Sequence, residues 1–303
     1  MDVQPVYGTP ALKAGNALVI CDLHIGVESH LRSKGFHLTS HTDDMRRAIL
    51  DSADDDINRL IVLGDVKDSV PGTTKQEYAE IPDFFESLFE RFGTIDVVRG
   101  NHDTMIEEFL PPRVRIRPAS GMKFGDLGLI HGHTWPSEEV MDCGTLVLGH
   151  NHPAVMFRDG VGRQMTEPCW FRGDFAKDES DRYPRLPKSF IVVPAFNRML
   201  GGSPINVIGE DLLGPLLNSD LLDLENGGIY LLDGIFLGKR SMNMIAGRDN
   251  TRFKDGPNTR AKYSRCDDPN HLCLAHSKFG IRSPESGMPC GIPLPMRDFL
   301  LRP

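Results

Sequence analysis

Val97-Val98-Arg99-Gly100-Asn101-His102-Asp103 carries two β-branched residues into a glycine and then sets an amide, an imidazole and a carboxylate side by side. The apolar lead reads as a short strand. Three consecutive ligand-type side chains are a poor way to build a core. They are a good way to hold a metal and a proton donor at the end of a sheet.

The same pattern recurs four times. Ala17-Leu18-Val19-Ile20-Cys21 runs into Asp22-Leu23-His24, and Leu60-Ile61-Val62-Leu63-Gly64 into Asp65-Val66-Lys67-Asp68. Leu127-Gly128-Leu129-Ile130 runs into His131-Gly132-His133, and Leu146-Val147-Leu148-Gly149 into His150-Asn151-His152. Six of the 11 histidines fall in these five strand ends, so the clustering is not a by-product of composition. In open sheets, ligands gather outside the carboxyl ends of strands, which is where all five motifs fall. In extended chain, residues i and i+2 point to one side, so Asp22 with His24, and His150 with His152, can each grip one site.

At 303 residues and 40% apolar, the chain can bury a substantial core. It has no run of about 18 apolar residues, which argues against a membrane span. Met1-Asp2-Val3-Gln4-Pro5 has neither a basic lead nor an apolar signal core, so secretion is not expected. Six scattered cysteines do not make a disulfide framework. Cys21 reads as a small buried apolar residue, and a cytoplasmic location fits. Residues 245–303 carry a net charge of +4, against -12 for residues 1–244. The acidic body argues against tight nonspecific nucleic-acid binding, but leaves room for a local basic groove.

The first half reads β-α-β-α-β. Strand Ala17 to Cys21 precedes a helix with Asp43 and Asp44 in its first turn and Met45, Ala48 and Ile49 on one face. Strand Leu60 to Leu63 follows. Ile81, Phe85, Leu88 and Phe92 mark a second helix, with Pro82 near its start. Short strands dominate thereafter, and Gly228 to Leu237 reads as a hairpin around Asp233-Gly234. The pattern predicts two packed sheets with helices outside, over residues 1–244. Residues 245–303 hold 7 Pro and 5 Gly with few aliphatics, the composition of a disordered, basic tail.

Seven donors emerge from the strand ends: Asp22, His24, Asp65, Asn101, His131, His150 and His152. If Asp65 bridges, each of two metals receives four protein ligands. Mixed nitrogen and oxygen donors suit Mn, Fe or Zn, and the lack of thiolate argues against a structural zinc site. Two such ions can polarise a phosphoryl group and clamp an in-line displacement. His102 is left over beside Asn101, able to protonate a leaving oxygen.

Together the motifs D-x-H, G-D-x-x-D, G-N-H-D, H-G-H and G-H-x-H resemble those of the calcineurin-like metallophosphoesterase superfamily, over roughly residues 1–244. Within it the chain is similar to archaeal SbcD-related phosphoesterases, through Ala17 to Gly26, Pro194-Ala195-Phe196-Asn197, Leu200 to Asn206 and Tyr230 to Gly234. That resemblance implies an α/β (α+β) four-layer α-β-β-α sandwich of two mixed sheets. It implies one metal on Asp22, His24, Asp65 and His152 and another on Asp65, Asn101, His131 and His150, with Mn first and Fe, Zn or Ni compatible. His102 would be the catalytic histidine, Asp68 its orienting carboxylate, and His133 a neighbour on the substrate side.

Departures narrow the expected activity. Ser69-Val70 follows the second motif, where protein Ser/Thr phosphatases continue Arg-Gly. Repair nucleases carry His where Asp68 stands, and add a DNA-binding cap for which this chain has little room. The expectation is a phosphodiesterase acting on nucleotides or nucleic acid. The rival readings are a phosphomonoesterase on a small metabolite, or a non-catalytic DNA-repair subunit whose tail docks a partner protein. Arg113, Arg115 and Arg117 alternate, and are expected to form an ordinary solvated face. His30, His37 and His41 are expected to be exposed. Cys266, Cys273, His276 and Cys290 match no trusted zinc spacing.

Overall fold

A computed structural model describes residues 1–36 and 38–247. The elements run β1 (Val3–Pro5), β2 (Leu12–Ala14), β3 (Ala17–Ile20), α1 (Val27–Ser33), α2 (Thr42–Asp51), β4 (Arg59–Val62), α3 (Lys75–Leu88), β5 (Thr94–Val98) and β6 (Arg115–Arg117). There follow β7 (Met122–Phe124), β8 (Leu127–Ile130), α4 (Glu138–Met141), β9 (Thr145–Leu148), β10 (Pro153–Arg158), β11 (Gln164–Asp174) and β12 (Ser189–Val192). The described chain ends with β13 (Ser203–Pro204), β14 (Val207–Ile208), β15 (Gly228–Leu231), β16 (Phe236–Lys239) and β17 (Ile245–Ala246).

Two mixed sheets form. The first has the order β1-β2-β3-β4-β5-β6, with β3 to β6 parallel. The second has β13-β10-β11-β12-β9-β8-β7, with β15 and β16 branching from β11. Strands β8, β9 and β12 are parallel within it. Side-chain alternation explains why the sheets stack. Val19, Ile61 and Val98 from one sheet meet Leu129, Val147, Trp170 and Ile191 from the other in a shared inner core. The alternate residues Leu18, Ile20, Leu60, Val62, Ile95 and Val97 face outward, where Met45, Ile49, Ile81, Phe85 and Leu88 of α2 and α3 cover them. The outer face of the second sheet is covered differently. Val140 and Met141 of α4 share that layer with Leu212, Leu216, Leu217, Leu221 and Leu222, which lie in irregular chain.

Two local expectations are corrected. Helix α3 begins at Lys75, so Pro82 sits in its interior, not near its start. The capping box of Thr74 and Glu77 starts the helix earlier, and burial of Ile81, Phe84, Phe85 and Leu88 carries it past the missing amide. Arg117 is only half-exposed and does not belong to an ordinary solvated face. With Arg59 it pairs the fully buried Asp96, so a carboxylate between the sheets is neutralised from both neighbouring strands. Helix α1 follows Gly26, whose φ of 103° no periodicity in the sequence signals.

Strand β17 pairs in parallel with β14, so regular structure continues through Ala246. The expected tail and its Cys/His group otherwise lie outside the described residues, as does His37. No helix among the described residues is long and apolar enough to cross a membrane.

Candidate metal centre

All five motifs emerge from the carboxyl ends of parallel strands: Asp22 and His24 after β3, Asp65 after β4, Asn101 and His102 after β5, His131 after β8, and His150 after β9. Because β3 to β5 and β8 to β9 belong to facing sheets, their ends converge at one edge of the sandwich.

Three overlapping groups result: Asp22, His24 and His152; His24, Asp65 and His102; and Asp65, His131 and His150. Within each group one ligand atom per residue lies within 4.8 Å of the others, the spacing needed to hold a metal ion. Asp65 Oδ2 is 3.4 Å from His24 Nε2 and 3.3 Å from His131 Nε2. Asp22 Oδ1 is 3.3 Å from His152 Nε2. His150 and His152 therefore serve different groups, although the i, i+2 reading gives them one site.

The reason is backbone geometry. Asp22, His24, Asp65, His150 and His152 all have positive φ, between 41° and 66°. Left-handed backbone is costly for residues with a Cβ, and here it is concentrated on candidate ligands. These side chains turn inward at tight bends, not from the pleat of an extended strand. Two glycines make room. A Cβ on Gly100 would sit 2.1 Å from Asp65 Oδ1, and one on Gly64 would sit 2.7 Å from His131 Nδ1.

The hydrogen-bond pattern fits a cation. His131 Nδ1 lies 2.7 Å from the Leu63 carbonyl, which can only accept, so Nδ1 carries the hydrogen. In the neutral ring Nε2 then offers a lone pair, and it faces Asn101 Oδ1 at 3.1 Å, His150 Nδ1 at 3.1 Å and Asp65 Oδ2 at 3.3 Å. Electron-rich atoms converge there on a space that calls for positive charge. Asp22 Oδ1 and His24 Nε2 are buried and have no hydrogen-bond partner. Unpaired buried polar atoms cost free energy unless something binds them. His24 Nδ1 meets the Asp68 carboxylate at 3.2 Å, the outer partner that a ligating histidine usually has.

Without a metal, protons take the place of positive charge. Burial opposes protonation of His24, but the neighbouring Asp65 and Asp68 carboxylates outweigh it and raise its pKa to about 10. Burial is likewise overridden at His131 by the charge of Asp65, giving about 9. Burial disfavours ionised Asp22, yet His152 and His131 hold its carboxyl down at about 2. His150 and His133 go the other way, to about 3 and about 4, through burial and the neighbouring His131. Aspartate carboxylates and neutral imidazoles are donors that first-row divalent cations take.

His102 lies beside the cluster, its ring centroid 4.6 Å from that of His24. Its Nδ1 is 2.6 Å from the main-chain carbonyl of Asp68, so Nδ1 donates and Nε2 is left for the cleft. Asp68 thus meets His102 through its backbone, while its carboxylate goes to His24. His133 is 5.2 Å from His131 between ring centroids, with a buried, unpartnered Nδ1.

Three residues were not singled out for a role by the sequence. Asp103 is fully buried and accepts from the amides of Asp65, Val66 and Gly100, each at 2.8 Å, tying the β4 and β5 ends together. Its place as the last letter of Gly-Asn-His-Asp was the available signal. Asn197 donates to the Leu23 carbonyl at 2.8 Å and so supports the Asp22–His24 bend. Asn151 accepts from the Leu213 amide at 2.7 Å, drawing the irregular chain near Gly214 toward His150.

No family model matches the chain, and no curated protein does. Among solved structures, the chain is similar to the nuclease MPE of Pseudomonas putida, with a TM-score of 0.44 and 18% identity over 76% of this chain and 95% of that one. The chemistry of the site rests on its own geometry.

Proposed function

We propose that the chain is a metal-dependent phosphoester hydrolase of the calcineurin-like kind, cleaving phosphodiesters such as those of nucleotides or nucleic acid. The observation that carries this reading is the convergence of Asn101 Oδ1, His150 Nδ1 and Asp65 Oδ2 within 3.3 Å of His131 Nε2, beside the buried Asp22 Oδ1 and His24 Nε2, which have no hydrogen-bond partner. Asp22, His24 and His152 would hold one cation, Asn101, His131 and His150 a second, and Asp65 both. Divalent cations bound by these donors supply Lewis acidity toward a phosphoryl oxygen and make water a stronger acid, with Mn the first choice.

The chain's own groups supply the rest. Asp68 and Leu63 fix the rings of His24 and His131 from behind, so the free nitrogens are oriented before substrate arrives. His102, with Nδ1 committed to the Asp68 carbonyl, presents Nε2 to the cleft. A proton on that nitrogen can pass to the departing ester oxygen. His133 lines the same hollow, where its unpartnered Nδ1 can meet a phosphoryl oxygen.

The test is hydrolysis of bis-p-nitrophenyl phosphate by the full chain with Mn, and with Fe, Zn and Ni in turn. Turnover well above that of His102→Ala supports the reading. No turnover above that variant with any of the metals ends the diesterase claim, and a strong preference for p-nitrophenyl phosphate makes the enzyme a monoesterase.

A further inference from the structure

Glu77 belongs to none of the three metal-type groups, yet it is fully buried on the first turn of α3. Its Oε1 accepts from the amides of Asp68, at 3.0 Å, and Ser69, at 2.7 Å. Its Oε2 takes the amide and the hydroxyl of Thr74. Lys67, also fully buried, grips the same loop from its other side, donating Nζ to the carbonyls of Ser69 and Gly72. A buried carboxylate and a buried ammonium are thus both spent on the backbone of one short loop.

What that loop holds is His102. The Ser69 amide and the Asp68 carbonyl are two ends of one planar peptide unit, pointing in opposite directions. One end donates to Glu77 and the other accepts from His102 Nδ1. A carboxylate at the N–H end fixes the direction of the carbonyl, and polarises the peptide so that the carbonyl accepts more strongly. We propose that Glu77 is a positioning residue for His102, acting through the intervening Asp68–Ser69 peptide as a carboxylate–peptide–imidazole chain. The proton-donor role of His102 rests on the phosphoesterase reading above; the positioning itself does not.

The difference from helix capping is testable, because Thr74 shares the cap but not the contact with Ser69. Glu77→Gln keeps the side-chain shape and removes the charge, Glu77→Ala removes the contact, and Thr74→Ala weakens the cap alone. Proton NMR of the full chain, metal-free and with zinc, reads the His102 Nδ1–H as a downfield imidazole resonance, identified by its loss in His102→Ala. We expect that resonance to move upfield in Glu77→Gln, to be lost to exchange in Glu77→Ala, and to stay in Thr74→Ala although the last variant melts earlier. In parallel, a series of phosphodiesters with leaving groups of rising pKa is hydrolysed with Mn. If proton donation is impaired, Glu77→Gln loses about tenfold more rate on an alkyl ester than on a p-nitrophenyl ester. Thr74→Ala keeps the wild-type dependence. An unmoved resonance in both Glu77 variants overturns the proposal, as does an equal shift in Thr74→Ala. Should the wild-type chain hydrolyse none of the esters, the phosphoesterase reading fails, and the NMR comparison alone decides the positioning.

Discussion

Nε2 of His131 lies 3.3 Å from Oδ2 of Asp65, and the same oxygen stands 3.4 Å from Nε2 of His24. One carboxylate oxygen thus serves imidazoles from two facing sheets, and Asp65 is the expected bridge. Asp65→Ala is predicted to cost both cations, not one. Metal analysis of the purified variant checks this: bound metal falls from about two equivalents toward none. Retention of one full equivalent would mean that Asp65 is not shared.

Metal binding should release protons. His24 and His131 have pKa values raised from 6.5 to about 10 and about 9 in the metal-free chain, so both carry a proton at pH 7.5. A cation needs both nitrogens free, so each binding event displaces a proton. Calorimetric titration with Mn in buffers of different ionisation enthalpy is predicted to report about two protons released per chain at that pH. The same raised values have a consequence for stability. Their contribution is complete below about pH 6.5 and is lost as pH rises through 9 to 10, so the metal-free melting temperature falls over that range. Added Mn removes the fall.

His102 sits within ligand distance of His24 and Asp65, so it could act as ligand or as proton donor. Its Nδ1–H commitment to the Asp68 carbonyl and the fuller donor sets on either side favour the donor role. His102→Ala is predicted to keep both metals while turnover falls about 10²–10⁴-fold. Loss of one metal equivalent in this variant would reassign it as a ligand.

Asp103 is a scaffold for the site. Its carboxylate takes three buried amides at 2.8 Å, two from the β4 end and one from the β5 end. Asp103→Ala leaves those amides without acceptors, at a cost of about 3–5 kcal/mol. Denaturant unfolding of the metal-free variant checks the figure. A change below about 1 kcal/mol would mean that water replaces the carboxylate without loss.

The strand ends were legible because each couples an apolar run to ligand-type side chains, a contrast that survives in one dimension. Asp22, Asp65, His131 and His150 are brought together as those runs imply. What was not legible lies in the backbone. Positive φ at Asp22, His24, His150 and His152 leaves no compositional trace, so extended-chain spacing alone pairs His150 with His152, whereas the motif resemblance already separates them, as the structure does. Asp68 reads as a carboxylate beside His102, but it meets that ring through its carbonyl. Pro82 obscured the start of α3, although Thr74-Lys75-Gln76-Glu77 has the capping-box pattern that would have fixed it. The Arg117 position on its own strand gives no sign of the buried Asp96 it pairs on the next.

These side chains are proposed to form a double cation cradle. Anomalous diffraction from crystals of the full chain grown with Mn tests it most directly. Two peaks are expected in one hollow, one bound by Asp22, His24 and His152, the other by Asn101, His131 and His150, with Asp65 touching both. A single peak, or manganese bound elsewhere while this cluster stays empty, would contradict that arrangement.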